Sequence, residues 1–287
     1  MFKIALLGAN GQLGQEIKDL LVEYPEFHFE AFTENDCDIT KEQDLFYTIE
    51  SSDFTHIINC AAYTNVAAAE TDKKAAFAVN DEGVKSISNI CRKKQIKLIH
   101  ISTDYVFDGE KGSPYFEMDQ TNPINEYGKS KLAGEQHVKN LGQNGLIIRT
   151  ASLYSSGNTN FVYSILDKVK RKEGLKVVCD QFCSPTFVND LAFAIVNNIL
   201  DKPIHGILNV VNEGEVSWFD FAKKITELAG HENYPMIKVK LDDFKSVVHR
   251  PKYSVLSIKK LKTISNITMR TWDKAIEQFM FQINGGY

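Results

Sequence analysis

The sequence has few of the features that mark secreted, membrane-bound or nucleic-acid-binding proteins. Its five cysteines are an odd number without a Cys-x-x-Cys pair, which argues against a disulfide framework or zinc site and favours reduced thiols. No apolar run approaches the ~18–20 residues that span a bilayer, and the N-terminal segment lacks a signal-peptide pattern. A net charge of −4 leaves no basic surface for nucleic acid. We therefore expect a cytoplasmic protein that binds neither nucleic acid nor membrane.

Hydrophobic residues make up 43% of the chain and charged residues 24%, which is typical of a folded globular protein. Short apolar segments at 2–7, 28–32, 56–61, 96–102 and 145–150 alternate with segments of helical periodicity. Short, almost wholly apolar strands are typical of a parallel sheet covered by helices on both faces. Beyond residue 150 this alternation weakens. We therefore predict an α/β fold, with the parallel sheet in residues 1–150, extended by later segments, and a smaller, discontinuous C-terminal region that takes up most of residues 151–287.

A glycine-rich turn, Gly8-Ala9-Asn10-Gly11-Gln12-Leu13-Gly14, joins the first predicted strand to the first predicted helix. Glycines at this spacing allow a tight turn, a close approach of backbone N–H groups to a pyrophosphate, and close packing of helix on strand. We interpret the segment as the dinucleotide-binding turn of a Rossmann-type, doubly wound sheet; a purely structural turn is the alternative. Glu34 or Asp36, after the second strand, favours NADH weakly, so NADPH and NADH both stay open.

Tyr127 and Lys131 lie four residues apart in a segment of helical periodicity, so both side chains project from one face. A free phenol with a pKa of ~10 is a poor proton shuttle at neutral pH. A lysine ammonium ~4 Å away stabilises the phenolate by roughly 4 kcal/mol at an effective dielectric of ~20, while burial of the phenol opposes this change. Thr103 ends a predicted strand, where ligands bind in open α/β sheets. We interpret these residues as the proton donor and its partners in a carbonyl reductase.

Motifs along nearly the whole chain resemble one family. The most specific is Ser102-Thr103-Asp104-Tyr105-Val106-Phe107-Asp108-Gly109, which is similar to the dTDP-4-dehydrorhamnose reductase family of extended short-chain dehydrogenases/reductases. The glycine turn and Tyr127-Gly128-Lys129-Ser130-Lys131 resemble the same family. Further similar stretches are Asp38-Ile39-Thr40, Asn59-Cys60-Ala61-Ala62-Tyr63-Thr64, Val79-Asn80, Arg149-Thr150 and Arg250-Pro251.

The resemblance implies reduction of the 4-keto group of dTDP-4-dehydro-6-deoxy-L-mannose to dTDP-L-rhamnose, with NADPH or NADH, by a homodimer. It implies that Thr103, Tyr127 and Lys131 are catalytic and that the C-terminal region binds the dTDP-sugar. The implied cofactor-binding residues are Gly8, Asn10, Gly11, Gln12, Leu13, Gly14, Asp38, Ile39, Ala61, Ala62, Tyr63, Thr64, Asn80, Ser102, Tyr127 and Lys131. The implied substrate-binding residues are Thr103, Asp104, Tyr105, Phe107 and Arg250, and no residue is assigned to a metal.

Local departures from the family pattern leave two alternatives open. The family usually has charged residues where this chain has Ala67 and Ala68, and often a tryptophan at the position of Ser152. Because of these changes, a reductase or epimerase that acts on another nucleotide-activated keto sugar is the first alternative. A non-catalytic NADP-binding regulatory subunit is the second alternative, because the regulatory subunit of methionine adenosyltransferase resembles this family. The retained tyrosine, lysine and threonine favour an enzyme.

Overall fold

The computed structural model describes residues 2–157, 159–243, 246–265 and 267–285. Its main sheet consists of β1 Phe2–Leu7, β2 Phe27–Phe32, β3 His56–Asn59, β4 Lys97–Thr103, β5 Gly145–Thr150 and β10 Gly206–Asn209. The strands are all parallel and lie in the order β2-β1-β3-β4-β5-β10. The prediction of an α/β, Rossmann-type parallel sheet is therefore confirmed.

The α-helices of the described residues are α1 Gln12–Leu21, α2 Glu42–Leu45, α3 Val66–Thr71, α4 Lys73–Phe77, α5 Val84–Lys94, α6 Glu126–Lys139, α7 Phe161–Lys170, α8 Val188–Ala194, α9 Trp218–Leu228, α10 Lys259–Ser265 and α11 Trp272–Ile283. Those that pack on the main sheet, α1, α5 and α8 among them, cover both of its faces. Alternate side chains of a strand point to opposite faces. Ile4 and Leu6 of β1 accordingly pack into the core shared with α1 and α8, whereas Ala5 and Leu7 pack into the core shared with α5.

A second region is built around a separate aromatic core. Parallel strands β7 Leu175–Val178 and β12 Met236–Val239 pair with each other, as do the short strands β6 Leu153–Tyr154 and β9 Thr186–Phe187. The antiparallel pair β8 Phe182–Cys183 and β11 Val216–Ser217 completes the set. Helices α7, α9 and α11 enclose these strands around a core that includes Tyr154, Phe187, Phe221 and Phe279.

Two segments have features that local patterns do not specify. The segment 72–94, whose periodicity predicts a helix, is helical from Lys73 onward and consists of α4, a π-helical segment at Ala78–Gly83, and α5. Asp72 ends α3 and caps α4, since its side chain accepts a hydrogen bond from the Ala75 N–H at 3.0 Å. The apolar run at 206–211 contributes β10 to the main sheet, beside β5, and is thus a later segment that extends this sheet.

The strand order creates a crevice at the carboxyl ends of β1 and β3. The chain leaves β1 for β2 on one side and returns to β3 on the other, so the loops after β1 and β3 diverge. In open α/β sheets, ligands bind at such a switch point. Within the described residues, no helix is long and apolar enough to cross a membrane.

Candidate active site

The glycine turn lies at this crevice and is held by contacts that exclude larger side chains. Gly8 has a φ of 75°, a left-handed conformation, and a Cβ there would lie 2.6 Å from the Ala61 backbone nitrogen. A Cβ on Gly14 would lie 2.2 Å from the Gly8 carbonyl oxygen. Helix α1 begins after Gly11 without a side-chain cap or an acidic residue in its first turn. The turn thus presents uncapped N–H groups, which fit the pyrophosphate of a dinucleotide.

The loop after β3 forms the opposite wall and is fixed by buried asparagines. Asn59 accepts a hydrogen bond from the Ala61 N–H at 3.1 Å. Asn80 accepts from the Tyr63 N–H at 2.9 Å and donates to the Tyr63 carbonyl at 3.0 Å. The Asn80 amide also donates to the Ser130 hydroxyl of α6 at 3.0 Å. This amide therefore joins the cofactor-side loop to the helix that carries Tyr127.

A cavity of about 220 Å³ lies between the glycine turn and the end of β2. Of the residues predicted to bind cofactor, it is lined by Gly8, Asn10, Gly11, Asp38, Ile39, Ala61, Ala62 and Tyr63. Its walls also include Glu34, Cys37, Cys60 and Val79. The position beyond β1 and β2 is where the adenosine of a dinucleotide lies in this type of sheet.

A larger cleft, of about 580 Å³, extends from the glycine turn over the ends of β4 and β5. The predicted residues that line it are Gly11, Gln12, Leu13, Gly14, Ala62, Thr64, Ser102, Thr103, Asp104, Tyr105, Tyr127, Lys131 and Arg250. The predicted residues that line this cleft therefore come from both halves of the chain. Parallel strands put their carboxyl ends at the same edge of the sheet, which brings these side chains together.

Tyr127 is brought to this cleft by close packing of α6 against the end of β4. Asn125 caps α6 by accepting a hydrogen bond from the Gly128 N–H at 2.8 Å. A Cβ on Gly128 would lie 2.2 Å from the Tyr105 carbonyl oxygen, so a larger residue would push the helix away. Burial raises the pKa of Tyr127 to about 12; a hydrogen bond with Thr103 opposes this change, and the charge of Asp104 adds to it. The phenol is therefore neutral at physiological pH.

Burial, which the sequence predicts to oppose the effect of Lys131, is the largest cause of the shift in the pKa of Tyr127. The Lys131 side chain is buried, with 2% of the residue exposed, and its ammonium donates to the Ile101 carbonyl at 2.6 Å. Burial lowers the pKa of Lys131 to about 8, although the charges of Glu135 and Cys60 oppose the change. Desolvation is therefore the largest influence on the pKa of both groups in this structure.

Asp104 and Thr103 form the floor of the cleft beside Tyr127. The Thr103 hydroxyl donates to Asp104 Oδ1 at 3.0 Å and accepts from the Tyr105 N–H at 3.2 Å. Burial raises the pKa of Asp104 to about 6, against hydrogen bonds from Ser254 and Thr103 that lower it. The site therefore combines a neutral phenol, a buried ammonium and a hydroxyl at the end of one strand, a set suited to delivering a proton to a carbonyl oxygen.

The comparisons with known proteins agree with this geometry. The family model described as RmlD substrate binding domain matches residues 2–284. This chain belongs to the dTDP-4-dehydrorhamnose reductase family. A dTDP-4-dehydrorhamnose reductase from Aggregatibacter actinomycetemcomitans is 34% identical, over 96% of this chain and 98% of the relative.

Two further relatives of this reductase family have a bearing on substrate and cofactor. A dTDP-4-keto-6-deoxy-D-glucose reductase from Streptomyces niveus is 36% identical, over 94% of each chain. A dTDP-4-dehydrorhamnose reductase from Bacillus anthracis, solved in complex with NADP, superposes with a TM-score of 0.92 at 35% identity, covering 98% of this chain and 100% of that one. The resemblance inferred from the motifs is confirmed.

In this member of the reductase family, two predicted site residues lie outside both cavities. Phe107 is 0% exposed and stacks on Tyr115 with ring centroids 4.1 Å apart, under the guanidinium of Arg149. It has no surface with which to contact a sugar, which corrects the predicted direct contact. Asn80 is likewise 0% exposed, and its amide is engaged by Tyr63 and Ser130. It supports the cofactor-side loop rather than contacting a cofactor.

The larger cleft is also lined by residues that are not among the predicted binding residues. They are Cys60, Val66, Ile101, Thr150, Ala151, Ser152, Leu153, Thr159 and Trp218. Thr150 ends β5 at the same edge as Thr103 ends β4, and the two residues are paired in register. The rule that ligands bind at strand ends could have identified Thr150. Thr159, in the loop before α7, and Trp218, the first residue of α9, do not lie at strand ends of the main sheet, so that rule does not identify them.

Trp218 and Arg250 stand between the cleft and a third cavity of about 400 Å³. The walls of this cavity are mainly apolar and come from α7, β7 and neighbouring loops, with Phe161, Ile165 and Val177 among them. The indole of Trp218 is held against Phe161, with ring centroids 4.4 Å apart. The site is therefore long enough for an extended ligand that passes Arg250.

Proposed function

We propose that this protein reduces the 4-keto group of dTDP-4-dehydro-6-deoxy-L-mannose to dTDP-L-rhamnose, with a reduced nicotinamide cofactor. The observation that carries the proposal is the convergence of Thr103, Tyr127 and Lys131 on the cleft that begins at the glycine turn. Relatives of about the same length with 34% and 36% identity are named as reductases of dTDP-4-keto sugars. A relative solved with NADP supports a nicotinamide cofactor, without deciding between NADH and NADPH.

The residues of the cleft have different roles in the reduction. When bound, a reduced nicotinamide supplies hydride to the carbonyl carbon. Tyr127 holds the proton for the carbonyl oxygen, and its raised pKa keeps that proton in place until an alkoxide, a stronger base than phenolate, develops beside it. Thr103 orients the phenol through their hydrogen bond. Lys131 contributes a positive charge that stabilises the phenolate left after transfer.

The substrate's nucleotide half has a suitable place beyond the reaction cleft. Arg250 lines both the cleft and the third cavity, and a guanidinium binds phosphate oxygens in pairs. We propose that it holds the diphosphate, with the nucleoside in the apolar cavity behind Trp218. We also propose, from the family resemblance, a cytoplasmic homodimer. Size-exclusion chromatography with light scattering tests the homodimer, with a monomer as the contradicting result.

Product analysis tests the proposed reaction. The full chain is incubated with enzymatically prepared dTDP-4-dehydro-6-deoxy-L-mannose and NADH or NADPH, and the sugar product is identified by NMR. We expect dTDP-L-rhamnose together with loss of reduced-nicotinamide absorbance. dTDP-glucose, which has no keto group, is the matched control. Cofactor binding without turnover of any keto sugar would contradict the proposal and favour the regulatory subunit.

A second keto sugar is favoured by two observations. The Streptomyces niveus relative is named for dTDP-4-keto-6-deoxy-D-glucose. Ser152 lines the cleft in a left-handed conformation, with a φ of 49°, at the position where the family resemblance leads one to expect a tryptophan. A small side chain there leaves room for a sugar of different stereochemistry. Competition between the two keto sugars decides which has the higher kcat/KM.

A further inference from the structure

The turn after β2 contains two acidic residues that the structure distinguishes. The Asp36 carboxylate folds back onto its own turn and accepts from the Thr33 N–H at 2.9 Å and the Thr33 hydroxyl at 2.6 Å. Glu34 instead lines the cavity of about 220 Å³ beside the glycine turn. Of the two carboxylates, Glu34 alone is therefore directed to the place where the adenosine ribose of a dinucleotide lies.

The cavity wall around Glu34 carries negative charge and no cation. Among the described residues that line it, Glu34 and Asp38 are acidic, and none is lysine, arginine or histidine. Lys41, which follows Asp38 in the chain, is paired with it at 3.1 Å. Its pKa is raised by Asp38 first, then by Asp44 and Glu34, so one ammonium faces three carboxylates. None of the described residues that line the cavity therefore offers a positive charge to a phosphate.

We propose that Glu34 makes this enzyme prefer NADH to NADPH. An acidic side chain after the second strand accepts hydrogen bonds from the ribose hydroxyls of NADH. The 2′-phosphate of NADPH adds a charge of roughly −1.5 to −2 at the same place, where Glu34 repels it and no arginine is present to bind it. The inference rests on the proposed function, because it uses the dinucleotide placement on which that function depends.

The size of the preference follows from the charges. A single pair of like charges ~4 Å apart costs about 1 kcal/mol even in bulk water, and a phosphate carries more than one charge. We therefore expect the dissociation constant of NADPH to exceed that of NADH by at least about tenfold at low ionic strength. Salt should narrow the difference, because Glu34 is exposed and its charge is screened.

Equilibrium titration of the full chain with NADH and with NADPH, followed by cofactor fluorescence, tests this inference without turnover. Glu34→Gln removes the charge at nearly constant shape and should bring the two dissociation constants within about threefold of each other. Glu34→Arg should reverse the preference. Glu42→Gln, which removes the same charge from exposed α2 outside the cavity, is the matched control and should leave the ratio as in the wild type.

The outcomes separate this inference from the proposed function. Equal affinity of the wild type for both dinucleotides, or tighter binding of NADPH, would overturn the inference and leave the reductase proposal standing. A preference for NADH that survives Glu34→Gln would remove Glu34 as its cause. Failure to bind either dinucleotide would contradict the cofactor site itself, and both proposals would then fall together.

Discussion

The buried ion pair between Arg149 and Glu135 supports the sharpest prediction about stability. Arg149 donates from Nε to Glu135 Oε1 at 2.8 Å and from Nη2 to Oε2 at 2.7 Å, and both residues are at most 1% exposed. The Ser102 hydroxyl also donates to Oε1, at 2.7 Å. The pair thus ties α6, which carries Tyr127 and Lys131, to the ends of β4 and β5.

Arg149→Met removes two charge-assisted hydrogen bonds and leaves the Glu135 carboxylate buried without its partner. Breaking such a buried pair costs about 3–5 kcal/mol. A folded protein has only roughly 5–15 kcal/mol of stability in total, so the loss is a large fraction of it. Urea unfolding followed by circular dichroism should show a free energy of unfolding that is lower by this amount. The melting temperature should fall by roughly 10 °C.

Two further variants test the reasoning. Lys139→Met removes a cation 3.8 Å from the same carboxylate, but its side chain is 34% exposed, so it should cost below about 1 kcal/mol. The double variant Arg149→Met, Glu135→Leu replaces the pair by apolar groups and should recover most of the lost stability. A loss below about 1 kcal/mol for Arg149→Met, or additive losses in the double variant, would refute the account.

Three other substitutions have defined outcomes. Gly14→Ala places a Cβ 2.2 Å from the Gly8 carbonyl, so it should cost about 1–3 kcal/mol in urea unfolding and weaken dinucleotide binding in titrations. Asn80→Leu leaves the buried polar groups of the Tyr63 backbone unpaired and should cost about 1–3 kcal/mol per group, with weaker cofactor binding. Burial raises the pKa of Asp104 to about 6, so its folded form holds a proton more tightly and ionisation destabilises the fold. The free energy of unfolding of Asp104→Asn should exceed that of the wild type by about 1–3 kcal/mol at pH 7. Unfolding titrations should show that this difference vanishes below pH ~4.

Local patterns predicted the parts of the site that depend on neighbours in sequence. The strand–glycine turn–helix unit at residues 2–21 was predicted because tight turns and apolar strands have short-range requirements. The i, i+4 spacing correctly placed Tyr127 and Lys131 in one cleft. The family motifs also predicted that Arg250 lies at the binding site, and it lines the same cleft although more than a hundred residues separate it from Tyr127.

Features set by long-range packing could not be predicted in this way. Strand β10 joins the main sheet by pairing with β5, about sixty residues earlier, and no local pattern specifies that partner. The pKa of Tyr127 depends on how deeply the folded chain buries the phenol, and burial is the largest cause of its shift. Phe107 stands in the most specific family motif, yet its ring packs on Tyr115 in the core.

The central claim is that Tyr127 delivers the proton to the keto oxygen, and Tyr127→Phe tests it most directly. The measurement is kcat for reduction of dTDP-4-dehydro-6-deoxy-L-mannose alongside the dissociation constant of the cofactor. We predict a fall in kcat of about 10²–10⁴-fold with little change in cofactor binding. Tyr105→Phe, which removes a hydroxyl from the same cleft, should affect KM more than kcat. A Tyr127→Phe variant that keeps kcat within about tenfold of the wild type would contradict the account.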